Sequence, residues 1–186
     1  MVPLFSPFEI PNHKMVPFIR ENSKNPKPPK PTMSQYEEKI RTYIQKHNIN
    51  AELLTFNQST HSVAEAAAAV GADAEDFVKS ICMIGPGDEL IVAIVKGEHR
   101  ASTSRVAKAL GIDRPRIAKP NEMIEKSGYP AGGTPAFGYE AVFLMDPKVL
   151  EKENVYSGGG SEQALILMSP EEMQRANGAK LARVRS

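Results

Sequence analysis

Proline is distributed unevenly along this chain, and the distribution limits which part of it can fold around a core. Eight of the 15 prolines precede Thr32. They are Pro3, Pro7, Pro11, Pro17, Pro26, Pro28, Pro29 and Pro31. Prolines favour extended polyproline II backbone, and residues 22–31 contain no apolar side chain that burial could order. We therefore expect residues 1–32 to form a proline-rich, disordered N-terminal extension and residues 33–186 to form the folded domain. Translation that begins at Met33 is a second interpretation of the same boundary.

The composition is that of a globular protein, and it excludes several classes of function. Hydrophobic residues make up 41% and charged residues 24% of the 186 residues. Lysine and arginine number 23 against 22 acidic residues, which argues against binding nucleic acid by bulk charge alone. The single cysteine, Cys82, excludes an intramolecular disulfide and a cysteine-rich zinc site. No apolar run is long enough to span a membrane, so we expect a cytoplasmic protein.

Hydrophobic periodicity and helix-cap signals after Met33 predict short helices that alternate with short strands. Two capping boxes are expected, Ser62 with Glu65 and Ser169 with Glu172, because each pair can satisfy the free backbone donors at a helix start. Two apolar runs joined by residues 85–89 are typical of a β-hairpin. After a first helix, the predicted order is β-α-β-β-α-β-α-β-β-β-α-β. This mixed order favours an α+β fold over a doubly wound sheet.

The common catalytic signatures are missing from the sequence. The histidines show no metal-ligand spacing, and no nucleophile elbow, Walker loop or dinucleotide fingerprint occurs. Lys79, inside the apolar run 77–84, is either an outward-facing strand residue or a cation that lines a pocket. Residues 128–138 contain four glycines and two prolines. They form either a plain surface connection or a loop whose backbone N–H groups converge on one oxygen.

Five short motifs follow one another along the domain. They are Thr60–Ala67, Phe77–Ser80, Gly128–Gly138, Val155–Gly160 and Leu167–Glu172. In this order they resemble the YbaK/prolyl-tRNA-synthetase-associated domain family, over essentially all of the folded domain. The resemblance implies a compact α+β fold in which helices flank a mixed, barrel-like β-sheet. It also implies hydrolysis of the ester that joins a wrong amino acid to the terminal ribose of a tRNA.

The resemblance further implies roles for individual residues. Lys79 matches the family's signature lysine, which helps to hold the 3′ end of the tRNA. The glycine-rich loop would fix the aminoacyl carbonyl through backbone amides, and backbone groups and the tRNA 2′-hydroxyl would position the attacking water, without a metal or other cofactor. The expected catalytic residues are Lys79, Gly132, Gly133, Thr134, Pro135 and Ala136. The expected substrate-binding residues are His61, Phe137, Gly138, Gly158, Gly159 and Gly160.

Two departures from the family pattern concern this site. Ala136 occupies the position of the family's proline, and Pro135 lies one place earlier. The segment after Gly160 lacks a basic-glycine pair and a later aspartate that some bacterial members carry. The identity of the amino acid is left open, because alanyl, cysteinyl, prolyl and seryl esters are all compatible with a small pocket.

A local basic surface is the expected contact for the tRNA. Lys96, Arg100, Arg105 and Lys108 lie close together in sequence. They form either a phosphate-binding surface or an ordinary solvated face. Besides the 3′ end of tRNA, a prolyl-tRNA synthetase or another aminoacyl-tRNA synthetase is a candidate partner. We expect a monomer or a weak homodimer.

These observations favour a free-standing trans-editing hydrolase that deacylates tRNA carrying a small wrong amino acid. The alternative is a non-catalytic module of the same fold that binds tRNA, a nucleotide or a synthetase. A third interpretation is an interaction protein that acts through its proline-rich extension.

Overall fold

The computed structural model describes residues 34–186, so the expected disordered extension lies outside the described residues. Within them the chain forms five α-helices: α1 (Gln35–Lys46), α2 (Val63–Val70), α3 (Thr103–Leu110), α4 (Pro120–Ser127) and α5 (Pro170–Asn177). The same residues form eight strands: β1 (Ala51–Thr55), β2 (Val78–Ile84), β3 (Leu90–Lys96), β4 (Arg116–Ile117), β5 (Val142–Met145), β6 (Val155–Gly158), β7 (Ala164–Met168) and β8 (Lys180–Leu181). Short 3₁₀ turns occupy Ala74–Asp76 and Pro147–Glu151. The order of helices and strands is the one expected from the sequence.

The strands form two sheets. One has the order β1-β7-β6 and is antiparallel, and the other has the order β4-β2-β3-β5-β8. In the larger sheet β3 pairs antiparallel with β2 but parallel with β5, so this sheet is mixed. The predicted α+β fold, with mixed β-structure flanked by helices, is confirmed, and its strands are divided between these two sheets.

The β2–β3 hairpin forms the centre of the larger sheet. Its strands pair from Val78 with Lys96 to Ile84 with Leu90, across the turn expected at residues 85–89. Asp88 adopts a φ of 65° in this turn, and Gly85 N–H donates to the Glu89 carbonyl at 3.0 Å. All residues of β3 are buried, because one face of the strand packs in the largest core cluster and the other in a second cluster. This position explains the unbroken apolar run in its sequence.

Capping fixes where the helices begin, with one departure from the expectation. Ser62 and Glu65 form the predicted capping box at the start of α2. Ser169 also caps α5 as predicted, by accepting a hydrogen bond from Glu172 N–H. The Glu172 carboxylate does not complete the box, however, because it accepts from the Asn50 N–H at 2.7 Å. The expected capping box is therefore replaced by a bond that ties α5 to the start of β1.

The buried side chains form three clusters, and the smallest lies beside the site described below. That cluster consists of Ala66, Phe77 and Leu165, with Val63 and Tyr156 packed against it. The alanine-rich α2 provides two of these residues, because small side chains allow a helix to pack closely on a sheet. Among the described residues, no helix is long and apolar enough to cross a membrane.

Candidate active site

A cavity of about 470 Å³ opens where the two sheets meet. Phe77, directly before β2, and Tyr156, in β6, form a single parallel bridge, and their rings stack with centroids 5.0 Å apart. The residues that follow this bridge in both strands line the cavity, together with α2 and part of the glycine-rich loop. The lining includes five of the residues expected from the sequence: His61, Lys79, Gly132, Thr134 and Gly158.

Lys79 is the cation of this cavity. It lies in β2, lines the cavity and is half-buried. Within residues 34–186, no carboxylate lies within 4.0 Å of its ammonium group. Burial, with a smaller effect from the positive charge of Arg100, lowers the pKa of Lys79. A partly desolvated cation beside a second cation favours a ligand that carries negative charge or an electron-rich oxygen.

Two glycine-rich segments meet at one wall of the cavity. A Cβ atom at Gly158 would lie 2.6 Å from the Thr134 carbonyl oxygen, and one at Gly133 would lie 2.7 Å from backbone atoms of Ser161. The Gly160 N–H donates to the Gly133 carbonyl at 2.8 Å. Glycine is therefore required here because backbone packs directly on backbone, a contact that no side chain would permit.

The loop presents backbone donors at the cavity. Thr134 Oγ1 and the Gly133 N–H both donate to the Pro130 carbonyl, at 2.8 and 3.3 Å, and so hold the loop closed on itself. The N–H groups of Gly132 and Thr134 donate no hydrogen bond to any acceptor in the described part of the chain. Gly132 and Thr134 line the cavity and Thr134 is buried, so we treat these two N–H groups as candidate donors to a ligand.

His61, which lines the cavity, contacts the carboxylate of Glu162, with His61 Nδ1 2.9 Å from Glu162 Oε1. The Thr60 N–H and hydroxyl both donate to the Glu162 carbonyl and so bring the two segments together. His61 lies directly over Gly132, where a Cβ atom would come within 2.3 Å of its Nδ1 atom. The contact between His61 and Glu162 was not predicted from the sequence, because no local pattern joins two positions so far apart in the chain.

Two serine hydroxyls at the cavity were also missed. Ser80, on β2, and Ser157, on β6, both line it. Their hydroxyl oxygens are buried and have no hydrogen-bond partner among the described residues. Both serines lie in motifs that carry the family resemblance, but serine is common in ordinary strands and turns, so neither was singled out as a site residue.

The remaining predicted residues lie outside the lining. Ala136 and Phe137 are fully buried in the largest core cluster, and a Cβ atom at Gly138 would contact Ile40 of α1. Gly133, Pro135, Gly159 and Gly160 also lie outside the lining. These residues therefore do not face the cavity; they support the backbone that forms its wall.

The expected tRNA-binding residues do not share one environment. The Lys96 side chain is 7% exposed, and its ammonium lies 3.7 Å from a Glu75 oxygen and 3.4 Å from a Glu98 oxygen. Arg100 lies close enough to Lys79 to lower the pKa of that lysine. Arg105 and Lys108 lie on α3, where Lys108 is exposed. Lys96 is thus separated from the other three by its burial and its acidic partners.

Comparison with known proteins identifies the family. A model of the aminoacyl-tRNA editing domain matches residues 57–176, which is more than half of the chain. The chain belongs to the aminoacyl-tRNA editing domain family. The resemblance expected from the sequence motifs is thereby confirmed. All the cavity-lining residues fall inside the matched range.

The chain is also similar to individual proteins over most of its length. The uncharacterized protein YwhH of Bacillus subtilis strain 168 is 24% identical over 144 residues, which cover 76% of this chain and 91% of YwhH. The crystal structure of the hypothetical protein APE2540 is 31% identical with a TM-score of 0.74, over 80% of this chain and 99% of that one. The structure of a candidate trans-editing enzyme for prolyl-tRNA synthetase is 25% identical with a TM-score of 0.77, over 83% of this chain and 99% of that one.

Proposed function

We propose that this protein is a trans-editing hydrolase that cleaves the ester between a small, wrongly attached amino acid and the 3′ end of a tRNA. The observation that carries the proposal is one cavity, in an editing-domain fold, that combines the unpaired cation Lys79 with two unused backbone donors, at Gly132 and Thr134. The similar structure described as a candidate trans-editing enzyme supports action on tRNA charged elsewhere.

Lys79 would hold the terminal nucleotide. The nucleotide offers ribose oxygens and a phosphate, and these are the acceptors that a half-buried ammonium without a carboxylate partner prefers. The nearby Arg100 would strengthen the attraction, because two neighbouring cations repel each other until an anion lies between them.

The Gly132 and Thr134 amides would bind the ester carbonyl. Negative charge grows on this oxygen when water attacks, so donors that are already in position stabilise the transition state more than the ground state. In the reaction, the water oxygen bonds to the carbonyl carbon and the bond to the ribose oxygen breaks. The products are a free amino acid and a tRNA with a free hydroxyl, to which the proton of the water is transferred. Gly133, Pro135 and Ala136 would support the loop without touching the substrate.

The tRNA 2′-hydroxyl and backbone groups would orient the attacking water. The space around the amino acid would be shaped by His61, Gly158, Gly159 and Gly160. The ester is already activated toward hydrolysis, so positioning and charge stabilisation supply much of the acceleration without a strong side-chain base.

The rest of the acceptor stem would meet Arg100, Arg105 and Lys108. Lys96 is left out of this surface because Glu75 and Glu98 already neutralise it inside the protein. Three cations are consistent with a contact that adds affinity and orientation, while the reaction's selectivity comes from the cavity.

The proposal is tested by incubating the protein with a panel of tRNAs charged with alanine, cysteine, proline, serine or threonine and following release of the amino acid. We expect at least one ester to be hydrolysed faster than it decays in buffer. Hydrolysis of none of them would contradict the proposal. Retained tRNA binding in that case would favour the alternative, a non-catalytic tRNA-binding module.

A further inference from the structure

The hydroxyl groups of Ser80 and Ser157 are unusual because they are buried without a partner. Ser157 is 1% exposed, both serines line the cavity, and neither hydroxyl oxygen has a hydrogen bond to any described residue. Buried hydroxyls in folded proteins nearly always have a partner, because an unpaired one loses its hydration without compensation. Two such groups at one cavity therefore point to a ligand that supplies the missing bonds.

Strand alternation places both serine side chains on the side that faces the largest core cluster. Successive side chains of a strand point to opposite faces. In β2, Ser80 lies between Val78 and Cys82, which both belong to the largest core cluster. In β6, Ser157 follows two residues after Val155, which belongs to the same cluster. The two serine side chains therefore lie on the faces of β2 and β6 that pack against the largest core cluster.

Lys79 lies on the opposite side. It alternates with Ser80 along β2, and so it shares a face with Phe77. Phe77 and Tyr156 belong to the small apolar cluster beneath α2, not to the largest core cluster. We call the side of the cavity with Lys79 and the aromatic rings its outer end, and the side with the two serines its inner end. Thr134, whose amide is unused, is also part of the lining.

This division fits the two halves of an aminoacyl ester. If Lys79 holds the nucleotide at the outer end and the Thr134 amide holds the carbonyl, the amino-acid side chain extends to the inner end. We propose that Ser80 and Ser157 are specificity-determining residues that select a hydroxyl-bearing amino acid, serine or threonine, over alanine, cysteine and proline. This inference rests on the proposed function, since it names the substrate class of the same site.

The physical basis is the difference between a paired and an unpaired buried group. A substrate hydroxyl is both a donor and an acceptor, so it offers the groups needed to pair with both serines. An alanyl or prolyl ester leaves both hydroxyls unpaired. Sites that hydrogen-bond a substrate hydroxyl discriminate strongly against the analogue that lacks it, whereas apolar pockets discriminate weakly.

The test compares seryl-tRNA and alanyl-tRNA hydrolysis by wild type, Ser80→Ala, Ser157→Ala and the double variant. Ser104→Ala, an exposed serine of α3, is the matched control. We expect each single variant to lower kcat/KM for the seryl ester by about tenfold and to leave that for the alanyl ester unchanged or raised. Equal losses for both esters, or a wild-type preference for the alanyl ester, would overturn the inference.

A binding measurement separates this inference from the proposed function. Non-hydrolysable 3′-amide-linked seryl and alanyl adenosine are compared by calorimetry, which requires no turnover. Tighter binding of the seryl compound, lost in the double variant, supports the inference even if no ester is hydrolysed. Equal binding of the two compounds overturns it even if esters are hydrolysed.

The unliganded protein gives a further check. If the two hydroxyls lack internal partners, Ser157→Ala should unfold at the same temperature as wild type or at a higher one. A clearly lower unfolding temperature would mean that Ser157 already has a partner in the fold, and this result would also overturn the inference.

Discussion

The glycines at positions 133 and 158 determine how closely two backbone segments approach at the cavity. A Cβ atom at Gly158 would lie 2.6 Å from the Thr134 carbonyl oxygen, and the contact atom is backbone, which cannot turn away as a side chain can. The position of the Thr134 amide therefore depends on a residue that itself does no chemistry. Because this contact is made between distant segments, a glycine triplet in the sequence indicates only that close approach is possible.

Replacing Gly158 with alanine should displace the loop at residues 132–134. We expect loss of deacylation by about tenfold or more, together with a loss of about 1–3 kcal/mol in the free energy of unfolding from the forced overlap. Gly87→Ala is the control, because its new methyl group would meet only the flexible end of the Glu89 side chain. Kinetics and urea unfolding of both variants measure the effect. Full activity in Gly158→Ala would contradict this role of the contact.

At the level of elements, local patterns predicted the secondary structure and contacts between distant segments determined the site. The Ser62–Glu65 box and the turn at residues 85–89 were predictable because their hydrogen bonds join near neighbours in sequence. The bond from Asn50 to Glu172 was not, since the two residues lie 122 positions apart. The contact between β2 and β6 could not be predicted either. The orientation of Ser80 and Ser157 depends on this contact, so it was not predictable. The glycine-rich loop and Lys79 were found through the family resemblance.

The end of β5 holds the C-terminal segment through one buried carboxylate. Asp146 is fully buried and accepts hydrogen bonds from the N–H groups of Val184 and Arg185, at 3.0 and 3.1 Å. The Arg185 guanidinium also donates to it. Burial raises the pKa of Asp146, but these bonds and one from Lys148 outweigh it, so the pKa lies below its usual value of 3.8.

The depressed pKa of Asp146 fixes the direction of a pH effect. Its stabilising contribution is fully present above about pH 4 and is lost as the pH falls through the folded-state pKa. We expect Asp146→Asn to lower the free energy of unfolding by about 2–4 kcal/mol at pH 7, and the difference from wild type to shrink below pH 4. Urea unfolding at several pH values measures this. A difference that does not change with pH would show that the charge of Asp146 contributes nothing.

For the molecule as a whole, the net charge does not explain how the domain would attract tRNA. The chain carries a formal net charge of +1, and residues 1–32 contain five basic and two acidic side chains. The remaining residues therefore carry a slight excess of acid, so attraction to tRNA depends on local cations and not on net charge. Burial of Lys96 between acidic neighbours reduces this local set further.

The central claim, that the cavity at Lys79 is where the ester is hydrolysed, is tested most directly by single-turnover deacylation with Lys79→Ala. Wild type and Lys46→Ala, which removes the same charge from an exposed position on α1, serve as references. We predict that Lys79→Ala lowers the rate at subsaturating protein by about 10- to 100-fold, as expected for loss of one charge-assisted hydrogen bond, while Lys46→Ala remains at the wild-type rate. Equal rates for all three proteins would contradict the claim.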